Sequence, residues 1–328
     1  MTDQYCVLLE CGIGPIADMA MKCEGVFATH NHALVSVSGG ADSDTMVDVV
    51  ERVRMERPIK VTYVWFDTGM EYRATKRHIA DLEARYGIEI LRERPEKTIP
   101  VSVREHGVPL VSKHVSEMCE RLQRAGFEWE DEPYEVLSAR YDRCDSALRW
   151  WTNDYEDGSR FNISRNRWLK EWMTTHPPEF RISAKCCEYT KKRVSRRVER
   201  ERETDVTLVG VRMDEGGVRA SHRQCFDKGG HGVDTYRPLF WLTTQQRDEY
   251  CARFGVTHSD CYGIWGMRRT GCVGCPFGRG IASELSIVER FEPNMVKAAR
   301  RIFGDSYAYT AEFADYRDFM RCGMRRLF

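Results

Sequence analysis

Between Ala33 and Val37 the chain is a short apolar, β-branched run (ALVSV) that leads straight into Ser38-Gly39-Gly40-Ala41-Asp42-Ser43. The positions that follow, DTMVDVVERVRM, switch to the helical period, so the stretch predicts strand, turn and helix. A second run, Val61 to Phe66 (VTYVWF), ends in Asp67-Thr68-Gly69 and gives way to a helical stretch from about Tyr72 to Tyr86. Further strands are expected at Ile88 to Leu91 and Val206 to Val211, a helix from about Thr243 to Phe254, and helix again over Ile281 to Phe328. From Phe127 to Phe180 charges and aromatics mix and no strand period survives, which predicts a mostly helical insertion.

Strands alternating with helices imply an α/β fold, a doubly wound and mainly parallel sheet whose ligands lie outside the carboxyl ends of the strands. Both turn motifs fall at such ends. The expected division is a nucleotide-binding half over 1–126, the insertion over 127–180, a second half over 181–280 and a helical tail over 281–328.

Composition narrows the class. Of 328 residues 42% are hydrophobic and 30% charged, which suits a globular protein with a core of its own. Lys plus Arg balances Asp plus Glu at 50 each, so no global positive field draws in nucleic acid, and any such contact must be local. No stretch is apolar enough for a membrane span or a secretory core. The 13 cysteines, an odd number, then belong to a reducing compartment as thiols or metal ligands, and a cytoplasmic location is expected. Composition leaves the oligomeric state open.

A strand ending in Ser-Gly-Gly-x-Asp-Ser and opening a helix gathers backbone N–H groups at a positive helix end, which suits a phosphate. Gly39 and Gly40 let the main chain come close, Ser38 and Ser43 add hydroxyls, and Asp42 is suited to a divalent ion such as Mg2+ or to capping the helix. No Gly-Lys-Ser/Thr follows, so this is not a Walker A loop. About 85 residues apart stand two thiol pairs, Cys186-Cys187 and Cys272-Val273-Gly274-Cys275. Four thiolates suit zinc or an iron-sulfur cluster, and geometry alone does not decide between them. Cys6, Cys11, Cys23, Cys119, Cys144, Cys225, Cys251 and Cys261 lack partners at ligand spacing and read as small core residues.

SVSGGADS resembles the PP-loop of the adenine-nucleotide α-hydrolase superfamily, and Asp67-Thr68-Gly69-Met70-Glu71-Tyr72 resembles a signature of its phosphoadenosine phosphosulfate (PAPS) reductase-like branch. The resemblance implies that Asp67, Thr68 and Gly69 flank an adenosine. It also implies that Cys186, Cys187, Cys272 and Cys275 hold a 4Fe-4S cluster, with Lys185, Lys191, Arg268 and Arg269 as candidate cations beside it. Gly210-Val211-Arg212-Met213-Asp214-Glu215 with Arg219 resembles the segment whose arginines grip the far end of the nucleotide, with Gly216 in place of a serine. The overall likeness is to the branch carried by phages, plasmids and CRISPR-associated loci.

Three functions follow from the resemblance. One is ATP-Mg binding and cleavage at the α-β bond in sulfur-transfer chemistry, with Asp42 on the metal, Arg219 on the phosphate charge and an external sulfur donor. Another is reduction of a sulfonucleotide by Cys322 with an external dithiol; Arg321-Cys322-Gly323 stands where that family has its nucleophile, but without the flanking Glu and His. The third is a non-catalytic nucleotide-binding partner of a nucleoprotein complex, with Arg140, Arg143, Arg149, Arg160, Arg165, Arg167 and the tryptophans of the insertion meeting nucleic acid.

Overall fold

The first strand is apolar on both faces, so it has to be covered twice. In the computed structural model, which describes residues 3–215, 222–229, 232–278 and 280–325, β1 (His32–Val37) sends Ala33, Val35 and Val37 into one core and Leu34 into another. The first core is closed by α1 (Asp3–Leu9), α2 (Gly14–Thr29) and α3 (Ala41–Glu56), through side chains such as Leu8, Ile16, Phe27, Met46 and Val50. After α3 come β2 (Lys60–Phe66), α4 (Arg73–Tyr86) and β3 (Ile90–Glu93).

The chain next runs through α5 (Ile99–His106), α6 (Lys113–Arg124), α7 (Tyr134–Arg140), α8 (Asp145–Thr152), α9 (Leu169–Thr175) and the single turn α10 (Lys185–Cys187). A π-helical turn, Glu188–Lys192, leads into α11 (Arg193–Arg202), β4 (Val206–Val209), β5 (Phe226–Asp227), β6 (Asp234–Tyr236), α12 (Thr244–Phe254) and α13 (Asp260–Gly263). The last elements are α14 (Ile281–Phe291) and α15 (Pro293–Arg325).

The six-stranded sheet has the order β3-β2-β1-β4-β6-β5. Only the β5–β6 pair is antiparallel, and β1 is flanked in parallel by β2 and β4, with Ala33 opposite Val61 on one side and Val206 on the other. On the second face Val194 and Val198 of α11 cover Leu34 and Val64. Helices on both faces make this the doubly wound α/β sheet expected from the pattern. The order reverses between β1 and β4, so the crevice outside their carboxyl ends is the switch point where such sheets bind ligands.

Two compact units divide the chain: Met1–Glu96 with Thr190–Cys272, which contains the whole sheet, and Lys97–Tyr189 with Val273–Phe328. One core draws on residues from before 126 and after 280 for a packing reason. Leu110, Val115, Met118 and Leu122 join Trp150, Trp151, Trp172 and, from α15, Tyr309 and Phe313 in one helical core. The insertion carries the three short helices α7, α8 and α9, and Trp129, Trp150, Trp151 and Trp172 are buried core rather than a stacking platform. Arg140 pairs with Glu130, and Arg149 with Asp145 and Asp154. Among the described residues no helix is long and apolar enough to cross a membrane.

Candidate nucleotide-binding site

The turn after β1 is built by its own serines. Ser38 N–H donates to Ser43 Oγ at 2.8 Å and Gly40 N–H reaches Ser38 Oγ at 3.4 Å, so residues 38–43 curl around their own hydroxyls. Gly39 has a φ of +65°, and a Cβ there would stand 2.6 Å from Thr75 Cγ2 of α4. Gly40, not Asp42, is the N-cap of α3, and it makes no side-chain cap bond. The Ala41 amide donates to the hydroxyl of Tyr262 at 3.1 Å, which also accepts from Thr270 N–H at 3.2 Å. Burial raises the pKa of that phenol and keeps it protonated. The amides of Gly39, Asp42 and Ser43 have no acceptor among the described residues. Three open donors at a helix N-terminus beside a glycine turn form an anion cradle.

Asp42 is gripped from afar. Its Oδ1 accepts from Arg212 Nε and from Arg247 Nη1, each at 2.8 Å, while Oδ2 has no partner among the described residues. Arg212, 3% exposed, also donates to Asp214, Thr244 Oγ1 and the Leu242 carbonyl, so it orders the loop after β4. Burial would lower the pKa of Arg247, but its bonds to Asp42 and Asp248 more than offset that and hold it above the usual guanidinium value. Sequence reading missed Arg247: it lies 205 positions from Asp42 in an ordinary helix, and nothing local marks it. Arg219 lies outside the described residues. Arg223 is exposed.

At the end of β2, Asp67 and Glu71 form a close acidic pair. Burial, aided by Asp67, raises Glu71, whose carboxylate accepts from Thr68 Oγ1 and from the Gly69 and Met70 amides. Burial acts upward on Asp67 too, but Lys76 at 3.2 Å outweighs it and holds Asp67 low. The two carboxyls are therefore shifted in opposite directions, Glu71 upward and Asp67 downward. Lys191 is near enough for its charge to favour ionised Glu71, and Thr68 Oγ1 lies 3.7 Å from Cys272 Sγ. Strand end, Lys191 and one thiol of the second pair thus share one neighbourhood.

The remaining thiols lie in the helical unit. Cys186 is buried on α10 and Cys187 half-buried beside it, immediately before the π-helical turn, a feature frequent at functional sites. Lys185 is paired with Glu120 at 2.6 Å. Near Cys275, Tyr307 donates to the Gly274 carbonyl. Among the described residues no group of three or more His, Cys, Asp or Glu forms a metal site. Cys11, Cys23, Cys119, Cys144, Cys251 and Cys261 are buried, as small core residues should be. Cys322 is exposed on the continuous helix α15.

Behind the cradle lies a cluster that the motifs did not reveal. Asp44, fully buried, meets His258 Nδ1 at 2.8 Å and His78 Nε2 at 3.0 Å through Oδ2. Burial alone would lower His258, but Asp44 and Cys251 override it and raise the pKa to about 9. A histidine held above its unfolded value of 6.5 stabilises the fold fully below pH 6.5, and this stabilisation fades as pH rises through about 9. Unfolding free energy should fall by on the order of 3 kcal/mol across that window. In His258→Gln, urea titrations across the same pH range should show a flattened slope; an unchanged slope would remove the imidazolium from the account.

Residues 32–126 match the family described as phosphoadenosine phosphosulfate reductase domain. Over 146 residues the chain is 33% identical to an uncharacterized protein, MJ0066, of Methanocaldococcus jannaschii; the match covers 44% of this chain and 28% of that protein, so the chain spans under a third of that relative. Among solved structures, it is similar to the PAPS reductase from Candida auris in a phosphate complex, with 12% identity, 83% of this chain and 96% of that chain covered and a TM-score of 0.44. It is also similar to the U34-tRNA thiolase NcsA from Methanococcus maripaludis with its 4Fe-4S cluster, with 12% identity, 90% of this chain and 79% of that chain covered and a TM-score of 0.40.

Proposed function

We propose that this chain, whose residues 32–126 carry a phosphoadenosine phosphosulfate reductase domain, binds ATP at the Ser38–Ser43 turn and cleaves it between the α and β phosphates in sulfur-transfer chemistry. The observation that carries the reading is the set of amides at Gly39, Asp42 and Ser43 with no acceptor among the described residues, in a turn fixed by hydroxyls and by the buried Arg212 and half-buried Arg247 at the switch point of the sheet. A nucleophilic oxygen of the acceptor attacks the α-phosphorus, the α-β bridging oxygen leaves with pyrophosphate, and the adenylylated acceptor then loses AMP to a sulfur donor.

Each residue has a part in that step. The three amides take the charge that develops on the departing pyrophosphate, where preorganised donors act most strongly. Asp67, Thr68 and Gly69 flank the adenosine, and Glu71 fixes that strand end by accepting from Thr68 and the Gly69 amide. Asp42 offers Oδ2 to Mg2+, which when bound neutralises phosphate charge, while its Oδ1 stays on the two guanidiniums. Arg212 acts through Asp42, and Arg219 meets the phosphates. Cys186, Cys187, Cys272 and Cys275 hold a 4Fe-4S cluster, a reading supported by the all-thiolate donor set and the Cys-Cys spacing. Bound there, the cluster supplies a structural or sulfur-carrying centre.

Anaerobically purified protein should carry about four iron and four sulfide per chain, and lose them in Cys186→Ser. Zinc without iron would end the cluster assignment. Calorimetry should show ATP binding that needs Mg2+, and ATP turnover with a thiolation acceptor should release pyrophosphate. Tighter binding of PAPS, with sulfite release abolished in Cys322→Ser, would replace this reading with a sulfonucleotide reductase, which the exposure of Cys322 permits. No binding of either nucleotide would overturn both.

A further inference from the structure

The helical unit contains a cavity of about 770 Å³ between α5, the 180–181 segment and α15, well separated in sequence from the PP-loop. Its size is in the range of small-molecule sites. Four cations, Arg104, Arg181, Lys297 and Arg301, line it against one carboxylate, Asp305. None of the four has an ion pair within 4 Å among the described residues, although the chain as a whole is charge-neutral and Arg140, Arg149 and Arg300 of the same unit are paired.

Helix spacing makes this unusual. Lys297 and Arg301 stand four apart on α15, a spacing at which like charges repel. Asp305 stands four beyond Arg301, at pairing distance along a helix, yet no pair forms. Arg181 is fixed from both ends: its carbonyl accepts from Val108 N–H at 2.8 Å, and its guanidinium donates to the Arg104 carbonyl at 3.0 Å. Four cations against one carboxylate therefore gather on one concavity, and part of its wall is apolar, with the half-buried ring of Phe180 among the lining groups.

An anion alone would not use that wall, and an apolar molecule would not repay the gathered charge. A nucleoside phosphate meets both demands, with its base against Phe180 and its phosphate among the guanidiniums, which present forks to phosphate oxygens. We infer that this cavity is a second nucleotide-binding site, taking a nucleoside phosphate either free or as a unit of a single strand. It is independent of the ATP reading above.

The full chain carrying Gly39→Ala, which disables the turn, is titrated with AMP, UMP and a mixed-sequence 12-nucleotide RNA, and compared with the same protein also carrying Lys297→Glu and Arg301→Glu. These two exposed positions should leave the circular dichroism spectrum unchanged; should they not, Arg301→Gln serves instead. Saturable binding that weakens at least tenfold in the charge-altered protein, and at least tenfold for adenosine against AMP, supports the inference. Saturation by the mononucleotides identifies a free ligand, and saturation by RNA alone identifies a strand. Binding that is absent, indifferent to the charge changes, or equalled by poly-glutamate overturns it. ATP binding at the turn should be untouched by Lys297→Glu in otherwise wild-type protein, so failure here and failure of the ATP reading are distinguishable.

Discussion

Gly39→Ala is expected to weaken ATP binding by about a hundredfold, the order of loss that follows when a preorganised site is misplaced by about 1 Å. Two causes act together. Alanine in the left-handed region costs about 1–2 kcal/mol, and its Cβ would meet Thr75 Cγ2 at 2.6 Å, a contact that must be relieved by moving the turn or α4. Overpacking of this kind adds about 1–3 kcal/mol, so the unfolding free energy should also fall. The causes separate in a second variant. Thr75→Ser removes the clashing methyl and keeps the buried hydroxyl, which has no hydrogen-bond partner to lose. The next neighbour, Ile79 Cδ1, lies at 3.4 Å, so the double variant should recover the packing loss but not the backbone strain. Calorimetry and urea denaturation measure both quantities. ATP binding by Gly39→Ala at wild-type strength would show that the phosphates bind elsewhere.

What could be read from the chain was what is local. The runs ALVSV and VTYVWF became β1 and β2 within a residue at each end, because a β-branched run bounded by turn residues has few alternatives. Thr243 was the expected helix start, and it closes a full capping box with Gln246 at the head of α12. β3 runs Ile90–Glu93, two residues beyond the expected Ile88–Leu91, since its register is set by pairing with β2 rather than by its own apolar content. β5 and β6, of two and three residues, are too short for any period to announce them.

The parts of the site that escaped notice are long-range. Arg247 and Tyr262 reach the turn from more than 200 residues away, and His258 reaches Asp44 across 214. No spacing rule links such positions, because the sheet, not the sequence, makes them neighbours. The tryptophans of the insertion show the converse. Their mixture with arginine looks like a nucleic-acid surface, but burial decides for Trp129, Trp150, Trp151 and Trp172, and indole rings that fill a core cannot stack on bases. The four cations of the cavity in the same unit were invisible for a similar reason: their charges sum to nothing unusual along the chain, and only folding brings them to one concavity.

Asp42→Ala should destabilise the nucleotide-free protein by about 3 kcal/mol, at the low end of the cost of removing the partner of a buried charge, here Arg212. Low, because Arg212 keeps Asp214, Thr244 and the Leu242 carbonyl, and Arg247 keeps Asp248. Asp42→Asn should cost less, since its amide oxygen can still accept from both guanidiniums. Metal-dependent ATP affinity behaves differently: if Oδ2 meets Mg2+, removing the carboxylate charge should impair it in both variants alike. Stability graded Asp, Asn, Ala, with affinity lost equally in Asn and Ala, is therefore the signature of one carboxylate doing two tasks with two oxygens. Urea denaturation without nucleotide gives the first series and calorimetry with and without Mg2+ the second. Affinity that follows the same graded order as stability would mean that Asp42 only positions the arginines, and that the metal is held by the phosphates alone.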